Sequence, residues 1–266
     1  MNWLRVAWRE TLRSGRLWCL LSAGLAVLAY AMVQEYPAFR ERMEAMGGHL
    51  PKLAKRILKA KAGELTFENF AAVAYIHPVS LALMSVWPIS RASQAVAGEI
   101  ERGALGWHLA YPVGRLAFLA GKVLVMAVGV VAMQLVLFLA FRLSLDAIGL
   151  PHAGAWPYVR VAAFGALLYM AVGALTLWAS AASSRAAIPN MVGAAIVVGS
   201  VLLENVGGAF PLFNNYRWLS LYHYFDYRGL ITGAKLHGWD VQVLAACVVV
   251  GLVGAGWTFA RRDLQI

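Results

Sequence analysis

The sequence has few charged residues for its length. Only 14% of its 266 residues are Asp, Glu, Lys or Arg, whereas a soluble domain holds about 25%. Hydrophobic residues make up 61% of the chain, and the mean hydropathy is positive. A chain this poor in charge cannot cover a folded surface with polar side chains, which excludes a soluble protein. The sequence therefore predicts an integral membrane protein.

Cysteines and acidic residues are also scarce. Both cysteines, Cys19 and Cys247, lie in apolar stretches, which is typical of small packing residues and not of a disulfide or a metal pair. Asp and Glu number 13 against 23 Lys and Arg, for a net charge of +10. The basic residues are dispersed over the ends of apolar stretches, as contact with anionic lipid requires. We therefore expect a lipid bilayer and no nucleic acid as a partner.

Several enzymatic motifs are missing. The pair Gly121-Lys122 is followed by Val123 and has no glycine five positions before Gly121, so it is not a nucleotide-binding phosphate loop. The chain has no His-Glu-x-x-His pair, no Gly-x-Ser-x-Gly turn and no paired-Glu motif on a span. We therefore expect no cofactor in this chain.

Six apolar stretches are long enough to cross a bilayer, which takes about 20 residues in a helix. They predict one all-α membrane domain over residues 1–266, with six transmembrane helices. The stretches are roughly Leu17–Val33, Phe70–Ile89, Val123–Phe141, Val161–Ala182, Ala186–Leu203 and Val241–Ala260.

The first 16 residues have the pattern of an amphipathic helix. Trp3, Trp8 and Leu12 recur on one side at helical spacing. Arginines at positions 5, 9 and 13 recur on the opposite side. Such a helix lies at a membrane interface, so we predict an elbow helix over residues 1–16 before the first span.

Residues 204–240 are too long for a simple turn and too polar for a full span. The segment is rich in tyrosine and contains Trp218 and Phe225. Aromatic residues concentrate at membrane interfaces, so we predict an extracytoplasmic segment that is partly inserted before the last span. Its ionisable candidates are Glu204, His223 and Asp226.

A further ionisable residue, His77, lies before Pro78 within the second predicted span. Ionisable groups at membrane depth often mark a transport path, although a neutral histidine bonded to a neighbouring helix explains this one more simply. An alternative function is an intramembrane enzyme that uses His77, Glu204, His223 or Asp226 as acid, base or ligand.

Residues 98–122 form the polar break between two apolar stretches and have a specific order. Gly-Glu-Ile-Glu-Arg-Gly at 98–103 leads to Pro-Val-Gly-Arg at 112–115 and Gly-Lys at 121–122. This order resembles the first cytoplasmic loop of permease subunits in ABC exporters of the second type, which reads Gly-Glu-x-Glu-Arg-Gly-Thr-Leu, Pro-Val-Ser-Arg, Gly-Lys. Ala104 replaces the usual Thr, and Gly114 replaces the usual Ser. The stretches at 220–226 and 261–264 are also similar to this family.

The resemblance implies that this chain is the membrane subunit of an ATP-driven exporter and is not itself an enzyme. In the family the loop forms a cytoplasmic coupling helix that rests on a separate ATPase subunit. The second partner would be another copy of this chain or a related permease. Trp107 is the best candidate for a buried anchor at the ATPase, because interface energy concentrates in Trp, Tyr and Arg. The residues expected to bind the ATPase are Glu99, Glu101, Arg102, Gly103, Leu105, Trp107, Pro112 and Arg115.

Basic residues favour cytoplasmic termini. If both termini are inside, the short segments carry 11 Lys and Arg inside and 5 outside. The long segment over residues 35–69 adds 7 outside, but the positive-inside rule is most reliable near span ends. We therefore predict a multi-pass protein of the inner (cytoplasmic) membrane.

Overall fold

The computed structural model describes residues 3–45, 75, 77–106, 114–149, 154–209, 211–232 and 238–263. Over these residues the regular elements are helical. Two short 3-10 helices cover Arg217–Leu219 and Leu221–Tyr224. The α-helices are α1 (Trp3–Ala45), α2 (Pro78–Ala95), α3 (Ala97–Glu101), α4 (Arg115–Ile148), α5 (Trp156–Ala182), α6 (Ala187–Ala209), α7 (Pro211–Asn214), α8 (Tyr227–Thr232) and α9 (Gly238–Arg261).

Among the described residues, five segments are long and apolar enough to cross a membrane, which confirms a multi-pass, all-helical membrane protein. They are Ser14–Arg42, Arg115–Ile148, Trp156–Ala182, Ala187–Asn205 and Gly238–Arg261. The second predicted span is not among them. Its first residues, up to position 74, lie outside the described part of the chain, and the last turns of α2 contain Arg91 and Gln94, which lower its hydropathy.

The predicted elbow is not confirmed as a separate helix. Helix α1 runs without interruption from Trp3 to Ala45, through Arg16 and past Glu35, where we expected the first span to end. Within this stretch Gly15 costs only about 1 kcal/mol in a helix, and Pro37 lies inside the helix without ending it. Nothing in the local sequence therefore forces an end at Arg16.

The predicted loop over Arg142–Arg160 is shorter in the structure. Helix α4 continues to Ile148, and α5 begins at Trp156. Arg142 and Asp146, one helical turn apart, form an ion pair of 3.2 Å. The helix ends where Gly149 takes a left-handed conformation, φ 70°, and its N–H donates to Leu145 O at 3.0 Å. Such an ion pair adds a few tenths of a kcal/mol, about 0.2–0.5, to the stability of this part of the helix.

Helix α5 lies at the centre of the bundle and contacts α9, α2, α4 and α6, while α1 packs along α4. Small residues permit the closest of these contacts. A Cβ on Gly251 of α9 would lie 2.6 Å from the backbone carbon of Ala174 on α5, so any larger residue would force the helices apart. Close approach through glycine is the packing expected between membrane helices.

A sharp break at Val96 separates α2 from α3. Val96 has φ −120° and ψ −62°, outside the helical region. The N–H groups of Val96 and Ala97 donate to Ser180 Oγ of α5 at 3.4 and 3.0 Å. The Ser180 hydroxyl in turn donates to Ser93 O at 3.1 Å. A break inside a membrane protein needs such partners for the freed backbone groups, and this one directs the chain into residues 98–122.

Candidate functional site

The site begins with a buried ion pair between α3 and α4. Lys122 Nζ lies 2.8 Å from Glu99 Oε1, and the side chains are 4% and 0% exposed. The Lys122 ammonium also lies 5.4 Å from the centre of the Phe118 ring. A buried charge needs an opposite charge close by, so the two residues hold each other in the interior. We expected Glu99 on a partner-binding surface, but in the structure its side chain is turned inward and fastens α3 to α4.

Arg102 extends this pair to the surface. Its Nη2 lies 3.2 Å from Glu99 Oε1, and its own side chain is 43% exposed. Its Nη1 also donates to Gln94 Oε1 of α2. The next residue, Gly103, has φ 67°, a conformation that side chains disfavour. Gly103 therefore shapes the turn after α3.

Glu101 and Leu105 fasten the same segment to other helices. Glu101 is exposed, and its Oε2 accepts a hydrogen bond from Ala186 N at 2.8 Å, just before α6. Leu105 is 3% exposed and belongs to a buried cluster that includes Phe118, Leu177 and Phe259. The segment is therefore bound to α4, α5, α6 and α9 at once.

Two arginines bind the ends of helices at this face. Arg115 Nη1 donates to the carbonyls of Phe259, Ala260 and Arg262 at 3.3, 3.1 and 2.8 Å, at the end of α9. Arg262 Nη1 donates to Ala181 O and Ser183 O at 2.8 and 2.7 Å, at the end of α5. Cations are stabilised at helix C-termini, where carbonyls lack helical partners. The sequence indicated that charged residues lie here, but it did not indicate that Arg262 binds the end of α5.

The predicted site is thus brought together in part. Glu99, Glu101, Arg102, Gly103, Leu105 and Arg115 lie at one end of the bundle, which we call the basal face. Trp107 and Pro112 lie outside the described residues, so their partner role stays a prediction. Lys122 was missed as a site residue, although its place in the family-like Gly-Lys pair was a signal.

A second polar cluster joins the end of α6 to the aromatic segment. Arg217 Nε donates to Glu204 Oε2 at 3.3 Å, and Arg217 Nη2 also binds Glu204 Oε1. His223 Nδ1 lies 3.3 Å from Glu204 Oε2. Ser220 Oγ donates to Ser200 O at 2.8 Å. These bonds fasten the segment against α6, and Arg217 was not among the predicted partners.

The aromatic segment is locally ordered by its own hydrogen bonds. Tyr224 Oη donates to Trp218 O at 2.8 Å. Burial, together with Cys247 and Asp240 nearby, raises the pKa of Tyr224. The segment contains α7, the two 3-10 helices and α8.

Asp226 and His77 act as helix caps in the structure. Asp226 Oδ1 accepts from Gly229 N at 3.1 Å at the start of α8. His77 Nδ1 accepts from Val79 N at 3.3 Å. His77 therefore lies at the start of α2 and not in the middle of a span as predicted, because Pro78 suits the first position of a helix.

The enzyme alternative gains no support from this arrangement. Of its four residues, only Glu204 and His223 contact each other in the described structure, and Arg217 also binds that carboxylate. Among the described residues, no three of His, Cys, Asp and Glu are grouped so that they could hold a metal ion.

A comparison with family models finds one match over nearly the whole chain. The model described as "ABC-2 family transporter protein" matches residues 1–264. No curated individual protein matches the sequence. The match includes every helix described above.

Proposed function

Because the chain belongs to the ABC-2 family of transporter proteins, we propose that it is the permease subunit of an ATP-driven exporter. A separate ATPase subunit would bind the basal face, and ATP and magnesium would bind that subunit. The observation that carries this proposal is the buried Glu99–Lys122 pair. It fastens a short surface segment to the interior of the bundle, as transmission of force from a partner requires.

A force applied by a partner at the basal face would reach several helices. Arg102 is partly exposed yet bound to Glu99, and exposed Glu101 is bound to Ala186. A partner pressing on residues 98–115 would therefore act on α4 and α6 together, and on α9 through Arg115. Separating a buried ion pair costs about 3–5 kcal/mol, so the segment and α4 should move as one body.

The helix order supports six spans, with α2 as the second. Tyr75 stacks on Phe141 at 5.8 Å between ring centres, Trp87 Nε1 donates to Met126 O at 3.1 Å, and Glu99 pairs with Lys122. The chain from Tyr75 to Glu99 therefore runs antiparallel to α4, from its far end to the basal face. At 1.5 Å per residue, the 18 residues of α2 span about 27 Å, close to the thickness of the hydrocarbon core.

In this proposal six crossings place both termini at the cytoplasmic side of the inner membrane. Residues 1–16 and 98–122 would face the ATPase, and residues 204–240 would lie outside. Two permeases, identical or related, would enclose the export path. ATP-driven closure of two ATPases would move the permeases as rigid bodies between two states that differ in affinity for the partner.

The composition of the complex gives a direct test. We expect the purified chain alone to hydrolyse no ATP, because it lacks a phosphate loop. Activity should appear when the ATPase partner is added in lipid nanodiscs and should vanish when that partner's phosphate-loop lysine is replaced. ATP hydrolysis by the pure chain alone would contradict the proposal that a separate subunit hydrolyses ATP.

Orientation is tested with single cysteines in a chain that lacks Cys19 and Cys247. Ala104→Cys should resist impermeant maleimides in intact cells and react in inverted vesicles, because it follows α3 at the basal face. Gly48→Cys should react in the opposite pattern, because it follows the first span. Labelling of Gly48→Cys only from the cytoplasm would reverse the topology.

A further inference from the structure

The break between α2 and α3 has no evident cause in the local sequence. Residues 89–111 contain no proline, and residues 92–97 read Ala-Ser-Gln-Ala-Val-Ala, in which alanine and glutamine favour a helix. Val96 nevertheless leaves the helical region, with φ −120° and ψ −62°. A kink without proline is often made by a side chain that inserts between the hydrogen-bonded groups of the helix backbone.

Ser180 of α5 is such an inserted side chain. In a continuous helix the N–H of Ala97 would donate to Ser93 O, four residues earlier. Here Ala97 N donates to Ser180 Oγ at 3.0 Å, and Ser180 Oγ donates to Ser93 O at 3.1 Å. The hydroxyl therefore bridges the two backbone groups that would bond each other directly if α2 and α3 were one helix. The N–H of Val96 also donates to this hydroxyl, at 3.4 Å.

Bulk solvent does not reach these groups. Ser93, Val96, Ala97 and Ser180 are each 0% exposed. Buried N–H and C=O groups need hydrogen-bond partners, so the backbone at this place has two ways to satisfy them. Either the hydroxyl stays inserted and the chain bends, or Ala97 N bonds Ser93 O and the helix continues.

The bent form has a second support nearer the surface. Gln94 of α2 accepts a hydrogen bond from Arg102, just after α3, across the break. The two residues would lie about 12 Å apart along the axis of a continuous helix. Gly98 permits this contact, because a Cβ built there would collide with the Gln94 side chain. Arg102 also pairs with Glu99, so the bend and the charges of the basal face are fixed together.

We propose that Ser180 is a positioning residue, whose inserted hydroxyl holds α3 out of line with α2 and so directs residues 98–115 at the basal face. Because Ser180 belongs to α5, the direction of α3 depends on where α5 lies relative to α2. Movement of α5 away from α2 withdraws the hydroxyl and lets the two helices join. That this change alters ATPase binding rests on the proposed function, whereas the effect of Ser180 on the break does not.

Pulsed electron paramagnetic resonance on the full chain in nanodiscs tests the role of Ser180. Spin labels at Val79→Cys, an exposed position at the start of α2, and at Ala104→Cys, after α3, report the distance across the break in a chain that lacks Cys19 and Cys247. Ser180→Ala should move part of the population to a longer distance. We expect the ratio of bent to continuous helix to fall about tenfold, as for the loss of two neutral hydrogen bonds. An unchanged distance distribution would overturn the proposal.

Two further variants separate positioning from general stability. Ser180→Thr keeps a hydroxyl and should keep the wild-type distance. Thr176→Val removes another buried hydroxyl one turn earlier in α5, where Thr176 Oγ1 donates to Val172 O of the same helix at 2.8 Å. It should also keep the wild-type distance. A longer distance in Thr176→Val would show that loss of any buried hydroxyl in α5 has this effect, and it would overturn the specific role of Ser180.

Binding of the purified ATPase tests the functional half of the proposal. We expect Ser180→Ala to bind the ATPase more weakly than the wild type and Ser180→Thr do. Equal affinity in a chain whose distance across the break has changed would overturn this half. Failure of the wild-type chain to bind any ATPase would contradict the exporter proposal instead, because the distance measurement requires no ATPase.

Discussion

Replacing Glu99 with glutamine is expected to destabilise the protein by about 3 kcal/mol. The substitution keeps the shape of the side chain but removes the negative charge that Lys122 faces at 2.8 Å in the interior. A buried ammonium without its carboxylate loses far more than an exposed one, because water cannot solvate it. The measurement is thermal unfolding in detergent, followed by tryptophan fluorescence.

The double variant Glu99→Gln/Lys122→Met should regain most of that loss, since it leaves no unmatched charge in the interior. The control is Asp146→Asn, which breaks the pair with Arg142 near the other end of the same helix. Asp146 is 48% exposed there, and exposed pairs contribute under about 1 kcal/mol. If the double variant were as unstable as Glu99→Gln alone, the ion pair would not be what fastens α3 to α4.

The fold was predictable where composition alone decides it. Scarce charge and long apolar stretches predicted a helical membrane bundle, and all spans after the second were located within several residues of the helices found. Helix ends were less predictable, because they depend on partners. Helix α1 continues through Arg16 to Ala45 because nothing in the local sequence ends it. Helix α4 includes Arg142, which forms an ion pair with Asp146 one turn later in the helix.

The burial of the charges in residues 98–122 could not be deduced from their order in the sequence. Glu99 and Arg102 are three residues apart at the start of a polar segment, which gives no sign that one is buried and the other partly exposed. That distinction depends on Lys122, 23 positions later, and on the break at Val96 that Ser180 stabilises. Contacts between distant helices of this kind cannot be deduced from local spacing.

The helix-capping roles of Arg115, Arg262 and His77 could not be predicted from the sequence either. Arg115 was predicted to bind the ATPase, and Arg262 was recognised only as a charge after the last span, yet each binds carbonyls at the end of another helix. His77 was interpreted as a residue at membrane depth because the apolar run continues on both sides of it. In the structure His77 caps α2 and Pro78 is its first residue. Hydropathy does not reveal this local geometry.

Replacing Trp107 with alanine is expected to release the ATPase while leaving the membrane bundle folded. Trp107 follows the fastened segment that ends at Leu105, between exposed Glu101 and Arg102 on one side and Arg115 on the other. Interface hot spots are enriched in tryptophan and arginine, and truncation of one costs about 2 kcal/mol, roughly thirtyfold in affinity. Arg102→Glu should also release the partner, but it places a second carboxylate beside Glu99 and so disturbs the interior as well.

The measurement is the affinity of the purified ATPase for the chain in nanodiscs, together with its ATPase rate. Trp239→Ala is the matched control, since Trp239 is 74% exposed at the start of α9, the helix whose other end binds Arg115. It removes the same side chain at the opposite side of the bundle and should leave both quantities unchanged. Equal ATPase affinity for wild type and Trp107→Ala would mean that the partner does not dock on residues 98–115. A loss in both tryptophan variants would point to general unfolding, which the unfolding temperature of each would reveal.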